Sequence, residues 1–236
     1  MDQLLLLPRE DRENNREYAC RVLRYNILTL QLIPGSTLNE NEIAEQIGIS
    51  RTPVHESLTT LKSEYLVEIV PQSGSRVSLI SLQNVREGLF LRQTIEPAIY
   101  RQIAGNVPLE LLRSMEQTMA EAGSLVYSTD RESTDRCIKL DDEFHRLAYE
   151  AAHKPLLWTA VRNVCSHYDR IRYLESILLK QDLKHVYAEH EKLYEYLLLA
   201  GSPDFDLEDF YNRHLSYFKG FFSSVFKKYP EYFITC

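Results

Sequence analysis

Residues 37–78 read TLNENEIAEQIGISRTPVHESLTTLKSEYLVEIVPQSGSRVS, and this stretch decides the fold of the chain. Asn39 is placed to cap a helix, with Glu42 three residues on completing a capping box. Ile43, Ala44 and Ile47 follow at helical spacing, and Gly48 permits the left-handed residue that stops the helix, with Ile49 anchoring the turn. Ser50 is placed to cap a second helix, with Pro53 in its first turn, where a missing amide hydrogen costs little. Val54, Leu58 and Leu61 form its inward stripe, leaving Arg51, Thr52, His55, Thr59 and Lys62 on the opposite face. Leu66–Val70 and Ser75–Ser78 then read as two strands around Pro71–Gly74. Helix, tight turn, helix and hairpin make a winged helix-turn-helix, whose second helix is shaped to enter a major groove.

Working outward, 236 residues suffice for two domains. The net charge is -7, and residues 1–80 hold 8 Lys or Arg against 11 Asp or Glu. Binding driven by bulk charge is thereby excluded, and any nucleic-acid contact needs a locally basic face. Cys20, Cys137, Cys165 and Cys236 have no paired spacing, which fits inert thiols in a reducing compartment. Leu4–Leu7 is too short for a membrane span and has no basic flank before it, so a cytoplasmic protein without a membrane anchor is expected.

Residues 2–14 read as a polar leader, poorly ordered or packed on a partner, with one apolar patch. A support helix is expected over 15–32, ended by Pro34-Gly35. After a connector at 79–83 the chain reads as helix: 84–104 with a kink near Thr94 from Pro97, then 108–127, 134–152, 155–178, 183–200 and 206–228. The expected fold is mostly α, a winged helix-turn-helix over residues 1–80 followed by an all-helical bundle over 81–236.

Inside that bundle, polar groups interrupt apolar stripes. Ile138, Asp141, His145, Ala148 and Ala152 share a face, as do Val186, His190, Leu193 and Leu197, and also Leu207, Phe210, His214, Phe218 and Phe221. An unpartnered buried imidazole or carboxylate costs several kcal/mol. Asp141, His145, His190 and His214 form a donor set suited to zinc, nickel, manganese or iron. The residues alone leave a second reading open, with Asp141 on a solvated face and the histidines bonded to tyrosines. His153, His167 and His185 read as break, surface or rim residues.

The segment IGISRTPVHESLTTL resembles the reader of GntR-family bacterial transcription regulators. The helical half resembles the FCD-type ligand-binding domain of the FadR subgroup, through RQTIE at 92–96, DDEFH at 141–145, His190 with Leu193, and Arg213-His214-Leu215. The resemblance implies DNA contacts from Ser50, Arg51, Thr52 and the wing at Gly74, and it favours the metal reading. His55, Thr59 and Arg76 extend the expected DNA face. The implied protein is no enzyme. It is a homodimeric regulator, most simply a repressor, on an inverted-repeat operator of double-stranded DNA. A small organic acid at or near the metal would control it, with Arg92 or Arg172 taking a second anionic group. A constitutive regulator with a structural metal and a metallohydrolase fused to a reader are the alternatives. Three departures stand out: His55 replaces a usual arginine, Tyr65 a common glycine, and Pro203–Asp206 lengthen a loop.

Overall fold

A computed structural model describes residues 3–70, 72, 74–128, 130–179, 184–215 and 219–234. The chain forms two compact units. The first comprises residues 1–86 together with 163–173 and 226–236, and the second comprises 87–162 and 174–225.

The first unit begins with α1 (Asn15–Leu28), whose start is set by a capping box between Asn14 and Glu17. The helix ends four residues before the expected Leu32, because Leu30 adopts φ 60° and the chain turns there. The leader is not loose on its own chain. Leu4 lies in the core, and Asn26 bonds both the amide and the carbonyl of Leu5. Next come β1 (Thr37–Leu38), α2 (Glu40–Ile47), α3 (Arg51–Ser63), β2 (Val67–Val70) and β3 (Gly74–Val77). The strands form an antiparallel sheet in the order β1-β3-β2, so Thr37-Leu38 is a third strand that the short alternation did not reveal.

Gly48 stops α2 at φ 74°, in the left-handed region. Asn39 caps α2 as expected, but Glu42 answers to the Asn39 side-chain amide at 2.9 Å. Ser50 occupies the cap position of α3 without a side-chain cap hydrogen bond. Val54, Leu58 and Leu61 are fully buried against α1, α2 and the sheet, in one core with Leu23, Ile27, Ile43 and Val77. Tyr65, which stands where the resemblance implies a glycine, takes φ 60°.

The connector contains β4 (Ile80–Ser81), and Ser81 caps α4 (Leu82–Ile103), which continues through Pro97. The remaining helices are α5 (Leu109–Leu125), α6 (Arg131–Ala151), α7 (Pro155–Val164), α8 (Ser166–Leu179), α9 (Lys184–Leu198), α10 (Leu207–His214) and α11 (Lys219–Lys228). The helix expected over 155–178 is two, separated at Cys165. Leu183 and Phe218 lie outside the described residues, as do Pro71 and Ser73 of the wing and Cys236, while Cys20, Cys137 and Cys165 are buried and in no disulfide among the described residues. The later half is not wholly helical: β5 (Phe233–Ile234) pairs parallel with β4 inside the first unit.

His167 corrects the sequence reading most sharply. Expected at the surface, it is 2% exposed. The Ser81 amide donates to its Nδ1 at 2.9 Å, so Nε2 carries the hydrogen and donates to the Tyr65 carbonyl at 3.0 Å. Arg170, fully buried, donates to the Ser78 carbonyl at 2.7 Å and to His167 Nδ1 at 2.8 Å. Ser78 Oγ in turn donates to the Tyr65 carbonyl at 2.6 Å. The start of α8 is thus fastened to the end of α3 and to the exit of the wing.

Burial, then the Arg170 cation, pushes the His167 pKa from 6.5 to about 3. Between those values the unfolded chain binds a proton that the folded ring refuses. The stability that rests on the neutral ring is therefore complete above about 6.5 and lost as pH falls toward 3. Urea unfolding from pH 7 to pH 4 should show wild type losing stability more steeply than His167→Gln, by up to ~1.4 kcal/mol per pH unit. Parallel profiles would refute this role. Tyr65→Gly should raise stability by about 1 kcal/mol in the same assay, because it removes a left-handed strain of ~1–2 kcal/mol at an exposed side chain.

Candidate metal centre and DNA-reading face

The second unit brings Asp141, His145, His190 and His214 together from α6, α9 and α10. One donor atom from each lies within 4.8 Å of all the others. Asp130, bonding the Ser133 amide, starts α6 so that Asp141 and His145 fall one turn apart on its buried side. His190 Nε2 stands 3.3 Å from His145 Nε2 and 3.3 Å from Asp141 Oδ1. Neighbouring ligands of a divalent ion at ~2.0–2.2 Å are separated by about 3.0–3.5 Å, so these spacings fit a shared ion.

The protonation states fit as well. Burial, reinforced by the Arg92 cation, drives His145 well below its ordinary range, and burial takes His190 to about 4. Both rings are neutral at neutral pH, the form that ligates metals. His145 Nδ1 stands 3.2 Å from Glu96 Oε2, and His214 Nδ1 donates to Glu189 Oε2 at 2.5 Å. For His214, a hydrogen on Nδ1 leaves Nε2 with its lone pair, the orientation that a carboxylate partner imposes on a metal-binding histidine, whereas the buried Nδ1 of His145 makes no hydrogen bond among the described residues. Burial alone would raise the Glu189 carboxyl, but the His214 bond and the nearby histidines outweigh it and hold it below its ordinary range.

Glu96 and Glu189 were not assigned roles from the sequence. Their signal was faint: Glu96 lies one turn from Arg92, and Glu189 directly precedes His190. Rings are fixed by packing too, with Phe144 4.6 Å from His190 and Phe210 stacked on His214 at 5.5 Å. The alternative with tyrosine-bonded histidines does not describe this cluster, where the imidazoles meet carboxylates and one another. Asp142, by contrast, pairs with Arg162 at 2.9 Å.

Arg92 is 3% exposed and binds Glu96 through Nε at 2.5 Å and Nη2 at 3.2 Å. Arg172 pairs with Asp169 at 3.3 Å on its own helix and belongs to the first unit, whereas the four clustered residues belong to the second. His153, exposed at φ 56°, marks the helix break as expected, and His185 reaches Glu189 at 3.1 Å.

On the first unit, Ser50, Arg51, Thr52, His55, Thr59, Gly74 and Arg76 are all exposed. Thr59 Oγ1 bonds back to the His55 carbonyl, and Arg76 pairs with Glu68 across the hairpin at 2.7 Å. Gly74 takes φ 88°, which a side chain rarely adopts. Glu40, at the start of α2, binds both Arg51 and His55. The His55 hydrogen bond, then that of Arg51, holds the Glu40 carboxyl below its ordinary range.

A bacterial DNA-binding regulator with a second, helical unit is the class that this pairing of units defines. Residues 16–77 match the gntR family of bacterial regulatory proteins, and residues 87–204 match the FCD domain. The chain is 34% identical over 170 residues to the HTH-type transcriptional repressor RspR of Escherichia coli, covering 69% of this chain and 73% of that protein. It is 26% identical to the HTH-type transcriptional regulator LutR of Bacillus subtilis, covering 70% of this chain and 82% of that one. The E. coli McbR/YncC structure shares the fold, with TM-score 0.74 at 17% identity over 92% of this chain and 99% of that one. The chain belongs to the GntR family as a DNA-binding transcriptional regulator with an FCD domain. Its family and relatives are regulators rather than enzymes, which removes the metallohydrolase alternative.

Proposed function

We propose that this regulator is a homodimeric, ligand-responsive repressor in which residues 1–80 read an inverted-repeat operator and residues 81–236 sense and dimerise. The observation that carries the sensing half is the convergence of three imidazoles and a carboxylate. One of those imidazoles, His214, holds its hydrogen toward Glu189, which leaves the lone pair on its other nitrogen. Asp141, His145, His190 and His214 would hold a divalent ion, with zinc, nickel, manganese and iron all compatible with the donor set. Such an ion would offer a cationic centre to the carboxylate oxygen of a small organic acid. Glu189 orients the His214 ring, and Arg92, paired with Glu96, sets the charge beside the cluster and is the residue to meet a second anionic group.

On the reading side, Arg51 at the start of α3 can chelate guanine O6 and N7, and Ser50 with the first-turn amides suits a phosphate. Thr52, His55 and Thr59 line the same helix, and Gly74 with Arg76 forms the wing. No helix among the described residues is long and apolar enough to cross a membrane. The repressor named RspR supports the sign of regulation, and the buried cysteines outside any disulfide support operation in the cytoplasm. A ligand alters operator affinity only through unequal affinity for two arrangements of the protein, and a tenfold change needs about 1.4 kcal/mol of coupling.

Elemental analysis of the purified protein should find a divalent metal, and His145→Ala combined with His190→Ala should remove it. Glu189→Gln should keep the fold and weaken metal affinity by ~10–100-fold. Full metal retention in the double variant would overturn the site. Operator titration with a panel of small organic acids, before and after chelation, separates a sensing ion from a structural one. Affinity that stays flat with every acid refutes sensing. Arg51→Ala should cost ~1–3 kcal/mol of discrimination at one base pair while leaving thermal melting unchanged, and an unaltered footprint would count against this docking.

A further inference from the structure

The shared carboxylate at the front of the reader has no role in the assignments above. Glu40 is the first residue of α2, Arg51 the first of α3, and His55 lies one turn further along α3. Glu40 Oε2 accepts from Arg51 Nε at 2.6 Å, while Oε1 meets His55 Nδ1 at 2.8 Å. The Glu40 side chain is 17% exposed, against 67% for Arg51 and 60% for His55. One largely covered acid therefore lies behind two exposed basic side chains.

A bare carboxylate on a face that meets phosphates weakens binding by repulsion. In a reader that is already net acidic, an acid at this place needs a compensating use. The geometry supplies one. With Nε engaged by Glu40, Arg51 keeps the Nη1 and Nη2 pair, a planar fork matched to guanine O6 and N7. With Nδ1 donating to Glu40, His55 keeps Nε2 for DNA. On the neutral ring that atom accepts, so its complement is the exocyclic amine of adenine or cytosine. Without the carboxylate, Arg51 is a flexible cation with several rotamers, and His55 can present either nitrogen.

We propose that Glu40 is a specificity-determining positioning residue, whose carboxylate fixes which edges of Arg51 and His55 are offered to the base pairs. The inference rests on the proposal that α3 reads the operator. It goes beyond that proposal by placing sequence discrimination partly on a residue of α2.

Selection from a randomised duplex pool, followed by sequencing, tests it with the full-length wild type, Glu40→Ala and the near-isosteric Glu40→Gln. Wild type should enrich an inverted repeat with a guanine and a neighbouring adenine or cytosine fixed in each half-site. Glu40→Ala should lose tenfold or more of its discrimination at those two positions. Its affinity for a random-sequence duplex should hold or rise, since a negative charge has gone. Glu40→Gln, with one acceptor oxygen, should loosen one of the two positions more than the other. Melting curves should match wild type for at least the Gln variant. An unchanged motif in Glu40→Ala and Glu40→Gln overturns the proposal. So does a uniform loss of affinity for every duplex, which would mark Glu40 as a structural residue of α2. If wild type itself enriches no motif, the operator-reading assignment falls first, and this one with it.

Discussion

Removing an imidazole from water makes its charged form expensive, and the second unit depends on this constraint. His145 and His190 stay neutral at neutral pH where they lie, so what holds each ring is packing and polar contact rather than charge. The surrounding residues meet that demand. Glu189 takes the Nδ1 hydrogen of His214 and Glu96 stands 3.2 Å from His145 Nδ1, while Phe144 and Phe210 fix ring planes by contact. Arg92 balances Glu96 within the same helix, one turn away. A cluster of this kind, emptied of partners, would cost several kcal/mol for each polar group. Its cohesion comes from hydrogen-bonded carboxylates at the rim and a donor set able to share one ion at the centre.

The first unit meets a related demand with a different charge. Arg170 is wholly buried, and burial lowers its pKa to about 9. Its hydrogen bonds run to a carbonyl, a hydroxyl and an imidazole of its own unit, all neutral acceptors. These bonds tie the start of α8 to Ser78, directly after the wing, and His167 ties it again to Tyr65 and Ser81. Residues from late in the chain are therefore built into the unit that holds the reader, and β5 joins them by pairing with β4. Chain order and compact unit are different partitions of this protein.

Charge balance across the first unit follows the same logic at lower cost. On the face proposed to read DNA, the pairings of Arg51 with Glu40 and Arg76 with Glu68 show that those exposed cations are not loose. Exposed pairs of this kind contribute little to stability. Their consequence lies in orientation.

Short-range regularities were legible in the residues themselves. Capping at Asn39, the stop at Gly48 and the stripe of Val54, Leu58 and Leu61 depend on neighbours within two helical turns. The three-and-four spacing that set Asp141, His145, His190 and His214 on inward faces is equally local. Only the tertiary structure decided which carboxylate meets which ring, that His167 is core rather than surface, that Leu4 enters the reader's core, and that the helix after Pro155 divides at Cys165. The physical reason is separation along the chain. His167 and its partner Tyr65 stand 102 residues apart, and His214 stands 25 from Glu189. Periodicity shows which way a side chain faces on its own helix, whereas its partner is chosen by whichever distant segment packs there.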